Sequence, residues 1–363
     1  IPLMSKICVI GAGNGGLSCC VELARAGHDV SLWNRSAETL APLKKAGIGY
    51  LGLLGSGRIK PLYIGTDLSA ALDRTDAIVI SLPTSAHTSV ARLLAKHEIT
   101  DIPVILNPGH TGGALAFRHG FESAGQPCPP LVEFSTLSYV ARMSAPDTVH
   151  ITGVAGRIWA APMAGNTEAL ACAQTFFPNA VPIEDVLGSS LTNVNMVLHP
   201  PGAILSAAWV EATQGNFTFY VDAMTPAVAR VIQALDRERL AVARAFGHKL
   251  PSLEQEMRAI GTIDNEEENL DLATLISTGT PNRKIMAPDS LHHRYYTEDF
   301  WFGLMPFCAL AEIAGVDVST AKALLTLADS ATDGNAPTGR DASSMGIAGM
   351  DLSTLQRFVE TRA

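Results

Sequence analysis

A short β-type run, Lys6-Ile-Cys-Val-Ile10, leads straight into Gly11-Ala-Gly13-Asn14-Gly15-Gly16, and a helical pattern follows through about Ala26. No other stretch narrows the fold as far. Gly11 permits a tight turn, Gly13 lets the backbone approach a ligand, and Gly16 lets the helix pack closely on the strand. The helix start offers free N–H groups and a positive dipole end to a pyrophosphate. Alone, such a loop is weak evidence. Here a second strand, Asp29-Val-Ser-Leu-Trp33, follows at the expected distance. The order predicts a parallel α/β domain that binds a dinucleotide through Gly11, Gly13, Asn14, Gly15 and Gly16.

The second strand ends in Asn34-Arg35-Ser36, where an NAD-binding domain usually has an acidic residue for the ribose hydroxyls. Asn34 carries no charge to repel a 2′-phosphate, Arg35 can bind one, and Ser36 can donate to it. The reading is NADP in preference to NAD, although the same residues would also suit an ordinary polar strand end. Strand patterns recur at Pro61 to Gly65, Asp76 to Ser81 and Pro103 to Asn107, with a helix over Ser85 to Lys96. Loops after such strands lie where ligands bind in these sheets. Pro83, Thr84 and His87 are therefore expected beside the cofactor, and Asn107 and His110 are candidate neighbours of cofactor or substrate. Short β segments at Leu131 to Phe134, Thr148 to Thr152 and Arg157 to Ala161 follow, with Tyr139 and Arg142 between them. A helix (Asn166 to Phe177) and a strand (Ala180 to Ile183) close the sheet.

The pattern changes near Gly188 to long helical stretches, roughly 189–199, 202–213, 224–246, 252–260, 300–314 and 318–331. This sets the expected division: residues 4–188 as a Rossmann-type domain, 189–363 as an all-helical domain. Ile1-Pro2-Leu3 precedes Met4, reads as a cloning remnant and is set aside. Met224 to Phe246 has the three- and four-residue apolar spacing of an amphipathic surface or interface helix. Thr332 to Gly349 reads as loop before a final short helix.

Within the helical half, Leu191-Thr-Asn-Val-Asn-Met-Val-Leu-His-Pro-Pro201 places Asn195 and His199 on one helix face. Pro200 and Pro201 predict that the helix bends or ends there, with His199 driven out of α geometry. A histidine at such a break suits proton transfer and equally suits a buried structural role. The segment His292-His-Arg294-Tyr-Tyr-Thr-Glu-Asp299 precedes an apolar helix. Asp299 could orient an imidazole and Arg294 could clamp a carboxylate, or the pair could be a surface ion pair at a helix start. Arg142 is a second arginine able to hold a carboxylate.

Acidic residues outnumber basic ones 35 to 26, a net charge of −9 that argues against nucleic acid or an anionic membrane as partner. No apolar run reaches a membrane span, and no secretory signal is visible. The six cysteines lack metal-site or disulfide spacing, which suits reduced thiols in the cytoplasm and no metal. The acidic run Asp264-Asn-Glu-Glu-Glu268 reads as a solvated loop.

Taken together, the glycine loop, Asn107-Pro-Gly-His-Thr-Gly-Gly-Ala114, the Thr-Asn-Val-Asn…His-Pro helix, Arg294-Tyr295 with Glu298-Asp299, and Gly339-Arg340 resemble the octopine/nopaline (opine) dehydrogenase family nearly end to end. The bacterial enzymes of the N-(1-carboxyethyl)amino-acid type look closest. The resemblance implies a Rossmann domain, a helical domain and a cleft between them. It also implies NAD(P)H-dependent condensation of an α-keto acid such as pyruvate with the amine of an amino acid. It assigns His199 as catalytic, Asp299 as its partner, Arg294 to the substrate carboxylate and Asn195 as a site neighbour, and a homodimer is compatible with it. Asn34-Arg35-Ser36 departs from the NAD-using pattern. Two alternatives differ in the residues they need. A reductase of the ketopantoate or glycerol-3-phosphate type relies on a helical-domain lysine, and Lys249, Lys284 and Lys322 all lie outside the His199 motif. A non-catalytic NADP sensor would not need His199, Arg294 and Asp299 together.

Overall fold

A computed structural model describes residues 4–267, 269–332 and 338–360. Residues 1–3, Glu268 of the acidic run and residues 333–337 of the expected tail loop lie outside that range. Two compact units share the chain. One takes residues up to Gly109, Gly113–Val186 and Glu360; the other takes His110–Gly112 and Leu187–Val359.

The first unit is built on twelve strands: β1 (Lys6–Ile10), β2 (Asp29–Trp33), β3 (Ile48–Gly52), β4 (Gly57–Ile59), β5 (Tyr63–Gly65), β6 (Ala77–Ile80), β7 (Val104–Leu106), β8 (Leu131–Phe134), β9 (Tyr139–Ala145), β10 (Thr148–Val154), β11 (Ile158–Pro162) and β12 (Ala180–Pro182). Eight form one sheet in the order β12-β11-β8-β7-β6-β1-β2-β5. All neighbours in it are parallel except β11 with β8. The chain leaves β1 for β2 on one side and later returns to β6 on the other, so the ends of β1 and β6 flank the topological switch point. Ile7, Cys8, Val9 and Ile10 are fully buried, as a strand covered on both faces requires.

The sequence reading placed Thr148 to Thr152 in this sheet; the structure puts that segment, as β10, elsewhere. β4-β3-β10-β9 form a separate four-stranded sheet, with β3 parallel to β10 and the other pairs antiparallel. Val149, Ile151, Tyr139 and Ala141 share a buried cluster with Cys19, Cys20 and Leu23 of the helix Asn14–Arg25. Glu22 of that helix accepts a hydrogen bond from the Tyr139 hydroxyl, and burial lifts its carboxyl above the usual range.

The second unit is helical, with one isolated bridge from Thr218 to Met286. Its longest helix, Pro226–Ala245, starts on Thr225, which accepts from Val228 N–H, and on Pro226 in the first turn. The sequence reading made it an amphipathic surface or interface helix, and its charged residues also hold neighbouring segments. Arg239 is 1% exposed, pairs with Asp236 and donates to the carbonyls of Leu191 (2.9 Å) and Pro251 (2.8 Å). Glu238 accepts from Thr320 and Ala321 N–H at the start of the helix Ser319–Ala331. A buried charge held by this many partners is costly to break. Among the described residues no helix is long and apolar enough to cross a membrane.

Candidate active site

The glycine loop has the geometry its sequence demands. Gly11 sits at φ +114°, donates to the Trp33 carbonyl, and a Cβ there would lie 2.2 Å from the Ser81 carbonyl oxygen. A Cβ on Gly16 would lie 1.9 Å from the Gly11 oxygen, and one on Gly15 2.7 Å from Ser81 Oγ. Gly13 differs: it is exposed, and a Cβ there meets nothing within 4 Å. No side chain caps the helix that begins at Asn14. An uncapped helix start beside open space fits a pyrophosphate.

At the end of β2, Asn34 Oδ1 accepts from Ala12 N–H (3.3 Å), which ties that residue to the glycine loop. Ser36 caps the helix Ala37–Ala46 by accepting from Thr39 N–H, and Arg35 is exposed. After β6, Pro83 is exposed, but Thr84 and His87 are 1% and 0% exposed. Thr84 Oγ1 donates to the Gly109 carbonyl (3.2 Å) and lies 3.5 Å from His87 Nδ1. Their side chains brace a turn where the sequence reading put them beside a cofactor. The apolar side of the helix His87–Leu94 takes them inward. Asn107 is likewise buried, with Oδ1 accepting from the Ser138 backbone and hydroxyl.

In the second unit, the prolines do not end the helix. It runs from Val194 to Leu205 through both of them, and His199 lies inside it in helical geometry. Met196 and Val197 lose the amide donors that Pro200 and Pro201 lack, yet both prolines are buried and packing holds the helix. The breaks fall instead at Asn193, which caps this helix, and at Ser206. Asn193 Oδ1 accepts from Asn195 N–H (3.2 Å), and its Nδ2 donates to Thr111 Oγ1 (3.1 Å).

His199 is 4% exposed and both ring nitrogens are engaged. Nδ1 is 2.7 Å from Asp299 Oδ2 and Nε2 is 2.7 Å from the Tyr220 hydroxyl. Asp299, 100 residues away in sequence and 7% exposed, reaches the ring from just before a π-helical turn at Phe300–Leu304. The Tyr295 ring stacks on the imidazole at 3.9 Å and 23°. The short helix Arg294–Thr297 that carries it is capped by His293, whose Nδ1 accepts from Tyr295 N–H. Burial and the adjacent Arg294 hold the His293 imidazole below its usual range.

Arg294 is exposed, its guanidinium 5.8 Å from the Tyr295 ring centre, and it forms no carboxylate ion pair among the described residues. Asn195 is half-buried one turn before His199. Thus His199, Asp299, Arg294 and Asn195 belong to one unit, whereas Arg142 is exposed on β9 of the other, opposite His150. Tyr220 was missed by sequence reasoning. Its only signal was the dense aromatic run Phe217-Thr-Phe-Tyr220 between two helices. Arg340 of the tail motif is buried and donates to the Thr111 carbonyl (2.7 Å), a structural tie.

Comparison with known proteins agrees with this geometry. Residues 182–332 match the family model described as NAD/NADP octopine/nopaline dehydrogenase, alpha-helical domain. Residues 6–109 match the NAD-dependent glycerol-3-phosphate dehydrogenase N-terminus. An opine dehydrogenase from Arthrobacter sp. (strain 1C) is 31% identical, covering 97% of this chain and 98% of its own. A vitopine synthase from Allorhizobium ampelinum is 27% identical over 95% and 96%. A solved octopine dehydrogenase with NADH and L-arginine shares the fold with a TM-score of 0.78, at 20% identity over 99% of both chains.

Proposed function

The chain belongs to the octopine/nopaline dehydrogenase family and is an NAD(P)-dependent oxidoreductase of CH–NH bonds acting on small molecules, and from that premise we propose how its residues divide the work. The His199–Asp299 dyad supplies the proton that lets an α-keto acid and an amine lose water as they join. Arg294 holds the keto acid's carboxylate, with Asn195 beside it. The division follows a dinucleotide domain through residue 188 and a catalytic helical domain from 189. The observation that carries this reading is the 2.7 Å contact from His199 Nδ1 to a buried Asp299, with the exposed Arg294 five residues upstream.

Asp299, as a carboxylate, only accepts, so the neutral imidazole carries its proton on Nδ1. A second proton, when the ring takes one, goes to Nε2. Arg294 can grip a carboxylate with two parallel N–H bonds and so fix which face of the acceptor carbon is presented. A nicotinamide dinucleotide, when bound, would supply hydride for the reduction. Gly11, Gly13, Asn14, Gly15 and Gly16 would cradle its pyrophosphate, and Asn34, Arg35 and Ser36 would face the adenosine ribose. An exposed, uncharged-plus-cationic strand end supports NADPH as the preferred form.

Pyruvate is the keto acid and an amino acid the amine in this proposal. A matrix of keto acids against amines, following NADPH consumption and weighing products by mass, tests it. Turnover of pyruvate with at least one amino acid to an N-carboxyethyl product is expected. Simple keto-acid reduction, with no amine required, would replace it with the hydroxyacid-reductase reading, and no turnover at all would favour a sensor.

A further inference from the structure

We propose that Tyr220 is a catalytic residue whose hydroxyl carries the proton between His199 Nε2 and the substrate oxygen that leaves as water. The proposal rests on the condensation reading above and adds the route the proton takes. A buried His199 with both nitrogens occupied has no ring atom left for a substrate. In this arrangement the group that stands at Nε2, between the ring and anything beyond it, is the Tyr220 hydroxyl.

The hydrogen bonds give that hydroxyl a switch in direction. While His199 is neutral, Nδ1–H donates to Asp299, bare Nε2 accepts, and the Tyr220 O–H donates to it. Once Nε2 is protonated it becomes a donor, and the Tyr220 oxygen must accept. Its own proton is then released to point elsewhere. The other polar partner in place, the Tyr295 hydroxyl, lies 3.5 Å away, beyond a good O–H···O bond. Charging the histidine therefore turns Tyr220 from a donor to His199 into a donor to whatever oxygen lies beyond it.

In the dehydration step the C–O bond of the carbinolamine breaks and its oxygen takes the Tyr220 proton, leaving as water. The nitrogen lone pair forms the C=N bond of a protonated imine. The Tyr220 oxygen takes the Nε2 proton in exchange, and His199 is left neutral on Asp299. One proton passes from enzyme to substrate, and the phenol is regenerated. Burial, reinforced by Tyr295 and by the Asp299 charge, holds the phenol of Tyr220 well above its ordinary range. A free phenolate is thus disfavoured, and the two transfers go together.

The rival route has Tyr220 swing aside so that His199 donates directly. Tyr220→Phe separates them, because it keeps the ring packed on Phe219 and leaves Nε2 open. With Tyr220 as carrier, kcat for keto acid plus amine falls about 10²-fold or more. Reduction of a preformed cyclic imine and NADPH affinity stay near normal, while Tm falls modestly because a buried Nε2 loses its partner. A Tyr220→Phe enzyme that condenses at the normal rate overturns the proposal. Two measurements on the unmodified enzyme stand independently of that variant's folding. The rate as a function of deuterium content should curve as two moving protons require; a straight line overturns the relay. The ¹⁵N spectrum of His199 should show protonated Nδ1 and bare Nε2 in the neutral ring, and the opposite tautomer overturns it as well. Failure of the underlying reading looks different: the unmodified enzyme would condense no keto acid–amine pair at all.

Discussion

The two candidate sites are built by contrasting means. The glycine loop works through backbone: its turn, its N–H groups and the lack of side chains at Gly11, Gly13 and Gly16, all within six consecutive residues. The His199 site works through side chains drawn from positions 21 and 100 residues apart. Backbone recognition leaves a local signature because spacing alone determines it. Side-chain convergence leaves none until the chain is folded. The two sites should accordingly fail in different ways when altered.

The largest effect expected is on the side-chain site. His199→Ala should lower condensation by about 10²–10⁴, the span for loss of a positioned proton donor. NADPH affinity should hold, since the glycine loop makes no use of His199. Asp299→Asn keeps the shape but weakens support for the imidazolium, giving a smaller loss. Since the pair acts as one unit, the double variant should cost far less than the product of the single effects, as steady-state kinetics on all four enzymes would reveal. Near-normal condensation by His199→Ala would make this a structural histidine.

Within the glycine loop the comparison can be made one residue at a time. Gly16→Ala drives a methyl against the Gly11 carbonyl and should cost about 1–3 kcal/mol of stability, visible as a lower Tm. Gly13→Ala meets no protein atom and sits at an ordinary φ of −81°, so Tm should not move. It should still weaken dinucleotide binding, because the methyl occupies the space a pyrophosphate would fill. If calorimetry showed both variants equally destabilised, the open space at Gly13 would have no functional meaning.

The same contrast explains what could be read before folding. The β1-glycine loop-helix unit and β2 were legible because strand, turn and helix signals are consecutive. The small sheet was not. Its β3, Ile48-Gly-Tyr-Leu-Gly52, carries two glycines that blur a strand signal, and its partner β10 lies a hundred residues on. His199, Asp299 and Arg294 were singled out as candidates, yet their meeting, and Tyr220 with them, is a tertiary fact. The two prolines misled for the opposite reason: a strong local rule was overridden by burial of both rings. His87 and Thr84 sat in the right loop, but which way they point is decided by the helix they begin.

A moderate effect is expected at Arg294. Lysine keeps the charge but loses the planar two-bond grip. Arg294→Lys should raise KM for the keto acid about ten-fold, as expected for losing one charge-assisted hydrogen bond. KM for NADPH should stay level. An unmoved keto-acid KM would transfer the carboxylate to another cation, with Arg142 the first to test.

The smallest effect is expected at the end of β2, where side chains would meet the adenosine ribose of the cofactor. NADPH should be favoured over NADH in kcat/KM, mostly through KM. The margin should be small, because Arg35 is exposed and Glu38 in the first turn of the next helix opposes a phosphate. An exposed ion pair is worth about 1 kcal/mol at most, roughly five-fold in affinity. Asn34→Asp with Arg35→Ala should reverse the preference. The new carboxylate can still accept from Ala12 N–H, as Asn34 Oδ1 does, and it adds a charge that attracts ribose hydroxyls and repels a 2′-phosphate. Equal use of both cofactors by the unmodified enzyme would mean that the glycine loop alone sets affinity and that Arg35 plays no part in it.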